Sequence, residues 1–210
     1  MNQEEQNNLW TVSWLLSHDK PAEALKEVHK LLKYTPPGKT KPKPVKRSRQ
    51  KPPSPDTDSM VAFYGRAGNE ANLVSIPTPY RMVLSWDKRR VVTTLRCHQK
   101  IAKPLTGALT QIAAEFNQTQ IEAMGLHLYA GIFNDRSVRG GRSKSKHAWG
   151  AAIDLNPEDN GNRTPWREDR ISQPGYASMP VRIIEIFEEW GFKSGARAWG
   201  RDSMHFQYTT

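Results

Sequence analysis

The segment TPPGKTKPKPVKRSRQKPPSPDTD, beginning at Thr35, most constrains what this chain can fold into. Proline and lysine dominate it, and it offers almost nothing apolar to bury. Such a stretch cannot offset the entropy of ordering itself, so residues 35–59 are expected to form an extended tether. That divides the 210 residues into a short N-terminal region, 1–34, and a larger domain, 60–210. The basic side chains of the tether offer contact with polyanions; a plain solvated linker is the simpler reading of the same run.

The N-terminal region reads as two helices. Leu9, Trp10, Val12, Trp14, Leu15 and Leu16 cluster first, and a second helix is expected from the cap Asp19, with Pro21 in its first turn. Ala22, Leu25, Val28, Leu31 and Leu32 then recur at helical spacing. A hairpin of that size encloses little core, so it is expected to dock on the main domain, a second copy or another protein.

Lysine and arginine outnumber the acids 31 to 21, for a formal net charge of +10. That balance favours anionic partners, among them nucleic acid, membrane surfaces and the acidic polymers of a bacterial envelope. Charge alone suggests nucleic acid, and no recognition motif accompanies it, so that partner is disfavoured. The single Cys97 permits no intramolecular disulfide and is expected to be a buried structural thiol. The opening MNQEEQNNLW carries acids and amides where a secretory signal has basic residues and an apolar run. No stretch approaches the roughly 18 apolar residues of a membrane span. Synthesis in the cytoplasm is therefore expected, with any external substrate reached after release.

Residues 60–210 read as one α+β domain. Ile101, Leu105, Leu109, Ile112 and Phe116 share a helical face over 98–116, with Pro104 marking a first turn or a kink. A second helix is expected from Pro180 to Trp190, stopped by Gly191. In Ala151 to Leu155 strand alternation sends Ile153 and Leu155 to a core and Asp154 to the other face. From Ser203 to Tyr208, Met204, Phe206 and Tyr208 face one way, His205 and Gln207 the other.

The chemistry concentrates in two blocks. Ser145-Lys146-His147-Ala148-Trp149-Gly150-Ala151-Ala152-Ile153-Asp154 places a histidine and an aspartate either side of small residues that leave room for an ion. Trp199-Gly200-Arg201-Asp202-Ser203-Met204-His205-Phe206 adds a second histidine and a further carboxylate. Catalytic zinc takes three nitrogen or oxygen ligands and keeps a fourth position for water. His147, Asp154 and His205 meet that requirement, and Asp202 is placed to accept a proton separately.

The pattern S-x-H-x-x-G-x-A-x-D, followed downstream by W and D-x-M-H-F, resembles the bacterial and phage peptidoglycan metallopeptidases. That family holds D-alanyl-D-alanine carboxypeptidases and L-alanyl-D-glutamate endopeptidases, including phage endolysins. The resemblance spans about 61–208, is sharp only from Gly131 onward, and leaves the N-terminal helices and the tether uncovered. It implies a hedgehog/DD-peptidase-like α+β fold with a central antiparallel sheet. It implies a zinc ion (Zn2+) on His147, Asp154 and His205, with Asp202 as general base. An arginine upstream of the first block binds the substrate carbonyl or oxyanion in this family. Arg136 is the first candidate here, with Arg139 and Arg142 as alternatives, and Ser145 and Trp199 are implied to contact substrate. The implied substrate is a peptidoglycan stem peptide, reached after release from the cytoplasm or from a phage particle. The bond is expected to be L-Ala-D-Glu, with D-Ala-D-Ala the rival and a non-catalytic wall-binding module the alternative of another class.

Other residues carry plainer expectations. His98 and His127 read as surface or hydrogen-bonded histidines, and His18 and His29 as solvent-facing. Trp149 and Trp166, like Trp199, suit either a substrate groove or the core. The run 156–162 is a turn-rich loop that either shapes the cleft or lies on the surface, and Glu185, Glu188 and Glu189 are expected on a solvated helix face.

Overall fold

The computed structural model describes residues 51–210. The helices expected over 1–34, with His18 and His29, lie outside the described residues, as does most of the tether. The described part of the tether runs directly into a helix, α1 (Thr57–Tyr64), capped by Asp56, whose side chain accepts from Ser59 N. Just before it, the Pro53 carbonyl accepts from Thr210 N at 2.9 Å.

After α1 the chain forms a long hairpin, β1 (Leu73–Leu84) and β2 (Asp87–His98), then helices α2 (Gln99–Glu115) and α3 (Gln118–Ala123). Strand β3 (Leu128–Gly131) follows. A 3-10 turn (Lys146–Trp149) leads into β4 (Ala152–Leu155) and the short helix α4 (Pro157–Asn160). The chain ends with α5 (Val181–Glu189), β5 (Lys193–Ser194), α6 (Gly195–Trp199) and β6 (His205–Gln207). Six strands make one sheet in the order β2-β1-β3-β4-β6-β5. This is the expected α+β class, but the sheet is mixed, not antiparallel. β1 and β3 run parallel, Val83 beside Leu128 and Leu84 beside Tyr129. The cause is connectivity: α2 and α3 carry the chain back after the hairpin, so β3 enters beside β1 in the same direction.

Burial of one stripe explains the two main helices. α2 buries Ile101, Leu105, Leu109 and Ile112. His98 caps it: its Nδ1 accepts from Lys100 N at 3.1 Å, and its Nε2 lies 3.0 Å from the Tyr64 carbonyl, to which it donates. His98 is therefore a buried, hydrogen-bonded histidine. Pro104 lies within the helix, past the first turn, where it removes one N–H from the ladder without ending it. α5 buries Ile183, Ile184, Ile186 and Phe187. Its glutamates are not merely solvated: Arg182 joins Glu115 of α2 at 2.6 Å and Glu189 at 2.9 Å, and Arg197 holds Glu188. Phe187 stacks on Phe206 of β6 with ring centroids 4.0 Å apart, which ties α5 to the strand that carries His205. Cys97 is buried as expected, and burial pushes its thiol up to about 12. Among the described residues, no helix is long and apolar enough to cross a membrane.

Candidate metal centre

Three neighbouring strands assemble the site. β4 lies between β3 and β6, and its register sets Asp154 directly opposite His205. Directly opposed residues of an antiparallel pair project on the same face, so the two side chains meet: Asp154 Oδ1 lies 2.9 Å from His205 Nδ1. On its other side Asp154 faces Gly131 of β3, which adds no side chain to crowd it.

His147 comes from the 3-10 turn before β4. Ser145 opens that turn, its hydroxyl accepting from His147 N at 3.4 Å. Gly150 closes it in the left-handed region, φ +65°, and donates back to the His147 carbonyl. Asn134 N donates to the same carbonyl at 3.0 Å. Held in this way, His147 Nε2 lies 3.2 Å from both His205 Nδ1 and Asp154 Oδ2.

The outward nitrogens of the two rings settle which atoms face inward. His147 Nδ1 sits 2.9 Å from the Ile132 carbonyl, an acceptor, so it carries the proton and donates. His205 Nε2 sits 3.2 Å from Gln207 Oε1, an acceptor, while the amide nitrogen donates to Thr209 Oγ1 at 2.7 Å, so Nε2 carries the proton and donates. Two imidazole lone pairs and a carboxylate therefore converge, an arrangement that repels itself without a cation. The spacings of 2.9, 3.2 and 3.2 Å approach the edge of a tetrahedron of nitrogen and oxygen ligands, about 3.3 Å for bonds near 2.0–2.1 Å. Among the described residues, this is the one cluster of three or more His, Cys, Asp or Glu side chains with converging ligand atoms, one from each residue within 4.8 Å of one another. The donor set and spacing fit zinc.

The electrostatics of the three side chains follow from the same contacts. Burial alone would raise the Asp154 carboxyl, but the His147 and His205 imidazoles outweigh it and hold it well below the usual range. Burial would lower His205, and its hydrogen bond to Asp154 reverses that and raises it.

Asp202 lies on the loop before β6 with backbone φ +56°, a conformation Asp tolerates better than most residues. Its carbonyl accepts from His205 N at 3.0 Å, and Gly195 packs so closely on that carbonyl that a β-carbon would collide with it. Its Oδ1 is buried with no hydrogen-bond partner. Burial raises its carboxyl, as does nearby Asp154, against the pull of His205.

A cleft of about 900 Å³ opens over these groups, lined by His147, Asp154, Asp202 and His205. Ser145 and Trp199 also border it; Trp199 is 47% exposed, with its ring centroid 5.7 Å from that of His205. Of the three candidate arginines, Arg136 and Arg139 line the cleft, and Arg142 is exposed outside its wall. The Arg136 guanidinium currently donates to the Ser137 carbonyl. Trp149 and Trp166 belong to the core instead, their indole N–H groups donating to the Gly65 and Met179 carbonyls. His127 is half-buried, away from the cleft.

Sequence reasoning overlooked two supports. Gln207 registered only as a polar strand position; its place two residues from His205, on the same strand face, was the available signal. The run 156–162 is less superficial than a plain loop: Asn156 and Asn160 are fully buried. Asn160 Oδ1 accepts from Met179 N at 2.7 Å and from Ser203 Oγ at 3.0 Å, bracing the approach to His205.

Residues 139–208, about a third of the chain, match a family model described as D-alanyl-D-alanine carboxypeptidase. The matched stretch includes His147, Asp154, Asp202 and His205 and begins just after Arg136. A search of curated proteins and one of solved structures each found no match. At this coarse level the family match supports a peptidase, and the buried His147–Asp154–His205 cluster is compatible with zinc.

Proposed function

We propose that this protein is a zinc-dependent peptidase that hydrolyses an amide bond in the peptide stems of peptidoglycan. The observation that carries the reading is the convergence of His147 Nε2, His205 Nδ1 and the Asp154 carboxylate, with the unpartnered Asp202 carboxyl on the same cleft wall. His147, Asp154 and His205 would hold a zinc ion, which would act there as a Lewis acid, polarising a carbonyl and lowering the pKa of water. Asp202 takes the proton of the attacking water and returns it to the leaving amine. Its raised pKa brings it nearer the operating pH of a general base. Arg136, with Arg139 as the alternative, turns its guanidinium to the charge that develops on the carbonyl oxygen. Trp199 offers an exposed ring at the cleft edge for the peptide to pack on.

Within this class we favour the L-alanyl-D-glutamate bond. The cleft volume is at the upper end of the roughly 300–1,000 Å³ of pockets for drug-sized ligands, room for several residues of a stem. A D-alanyl-D-alanine carboxypeptidase is the rival, supported by the description of the matching family. In either case the protein acts on the wall after release from the cytoplasm or as part of a phage particle.

Mass spectrometry of purified peptidoglycan digested with and without chelator tests the reading. New stem peptides with an amino-terminal D-glutamate, lost on chelation, are the expected outcome. Release of terminal D-alanine alone selects the rival. Digestion indifferent to chelator removes the zinc from the reading, and no digestion by zinc-loaded protein replaces the peptidase with a non-catalytic module.

A further inference from the structure

Resting on the zinc reading above, we propose that Gln207 is a positioning residue for the metal. Its side-chain amide, anchored by Thr209, accepts from His205 Nε2 and fixes the ring so that Nδ1 faces His147 and Asp154. An imidazole has two nitrogens, and a ring free to turn over or change tautomer presents the wrong one, or a proton, to a metal. Each histidine ligand therefore needs a partner on its outward nitrogen. For His147 that partner is the Ile132 carbonyl, a backbone group that substitution does not remove. For His205 it is a side chain, Gln207 Oε1, at 3.2 Å.

The amide is itself ambiguous, because its oxygen and nitrogen ends are similar in size. Turned over, it would set N–H against the His205 N–H, donor against donor. In the orientation present, Thr209 Oγ1 accepts from Gln207 Nε2 at 2.7 Å and the oxygen faces His205; a hydroxyl can serve either end of an amide, so the imidazole N–H selects this orientation and Thr209 anchors it. Thr209 is held by its own backbone N–H, which donates to the Gln207 carbonyl at 3.1 Å. All three side chains are buried, where an unpaired polar group is costly and the arrangement is correspondingly firm. The register permits it: Gln207 stands opposite Ala152, whose methyl leaves the space the amide fills. Thr209, Gln207 and His205 thus form one hydrogen-bonded chain that ends in the ligand set.

Zinc affinity of the full chain, measured by competition with a chromophoric chelator at fixed pH, tests this. Gln207→Met keeps the length of the side chain and removes the acceptor; it is expected to weaken zinc by about 10- to 100-fold. Gln207→Glu keeps an acceptor and is expected to bind at least as tightly as the wild type. Thr209→Val frees the amide and is expected to give a smaller loss in the same direction. A folded Gln207→Met protein with wild-type affinity overturns the inference. If that variant does not fold, unchanged affinity in Thr209→Val overturns it instead. Zinc affinity unchanged by the substitutions, with a zinc-binding wild type, refutes the role of Gln207 alone; a wild type that binds no zinc refutes the metal reading itself.

Discussion

Asp202 holds a left-handed backbone and a carboxyl oxygen with no partner, two local costs in one residue. Asparagine adopts the same backbone conformation readily and carries no charge, which makes Asp202→Asn an informative change. Zinc binding should persist, since Asp202 is outside the ligand set, while hydrolysis should fall by about 10²- to 10⁴-fold. Zinc analysis beside peptidoglycan turnover checks both. Stability should move the other way. Burial raises the folded-state pKa of Asp202 above its unfolded value, so the folded state binds the proton more tightly. Stability therefore declines as pH climbs from the unfolded carboxylate range through the raised folded value, and stays reduced above it. In chelator, Asp202→Asn should raise the urea midpoint at neutral pH and flatten that decline. A lower midpoint would mean that the carboxylate has a stabilising partner.

At the scale of elements, the turn that carries His147 depends on Gly150. A β-carbon there would meet Leu73 Cδ2 at 2.8 Å and His98 N at 3.1 Å, in a backbone region that already disfavours side chains. Gly150→Ala should cost about 1–3 kcal/mol and weaken zinc as well, because the displaced turn moves one ligand; denaturant titration and chelator competition read the two effects. Asn160→Ala should cost about 1–3 kcal/mol by leaving the Met179 N–H and the Ser203 hydroxyl without their acceptor. These elements were not equally legible in the sequence. The stripes of α2 and α5 repeat at short period, so the chain itself displays which face is buried. The alternation in β4 and β6 separates Asp154 and His205 from Ile153 and Phe206, although both faces of these strands are buried. The parallel pairing of β1 with β3 has no such trace, because it depends on where two helices return the chain. The burial of Asn160 is set by Met179 and Ser203, partners far along the chain, within a string of residues that looks like any surface turn. Gln207 lay in plain view at the right face, yet its role needs Thr209 and the ring of His205 in three dimensions.

At the scale of the whole described domain, the lining of the cleft is biased towards positive charge. Arg136, Arg139, Lys144, Lys146, Lys193 and Arg201 line it against only Asp154 and Asp202 among the acids. Lys144 is engaged by Asp135 at 2.6 Å, and Lys146 donates to the Pro55 carbonyl. The remaining excess favours substrates bearing carboxylates and should accelerate their capture. Raising the salt from 50 to 500 mM is expected to lower kcat/KM on an anionic muropeptide while kcat changes little, because encounter is screened and the enclosed chemistry is not. A kcat that falls in parallel would place the salt effect on the catalytic groups themselves.

The pairing of Asp154 with His205 across β4 and β6 also has a temporal consequence. Small zinc domains acquire their shape only when the ion arrives, so uptake and folding are one event. Here two of the three ligands are fixed by interior strand pairing, and the third by a turn hydrogen-bonded at both ends, contacts that the chain makes with itself. Loading should therefore resemble docking on a finished surface, and removal should leave far-ultraviolet circular dichroism unchanged. Hydrogen exchange offers the finer view: the amides of Ile153 and Phe206 should be among the last to exchange whether or not the ion is bound.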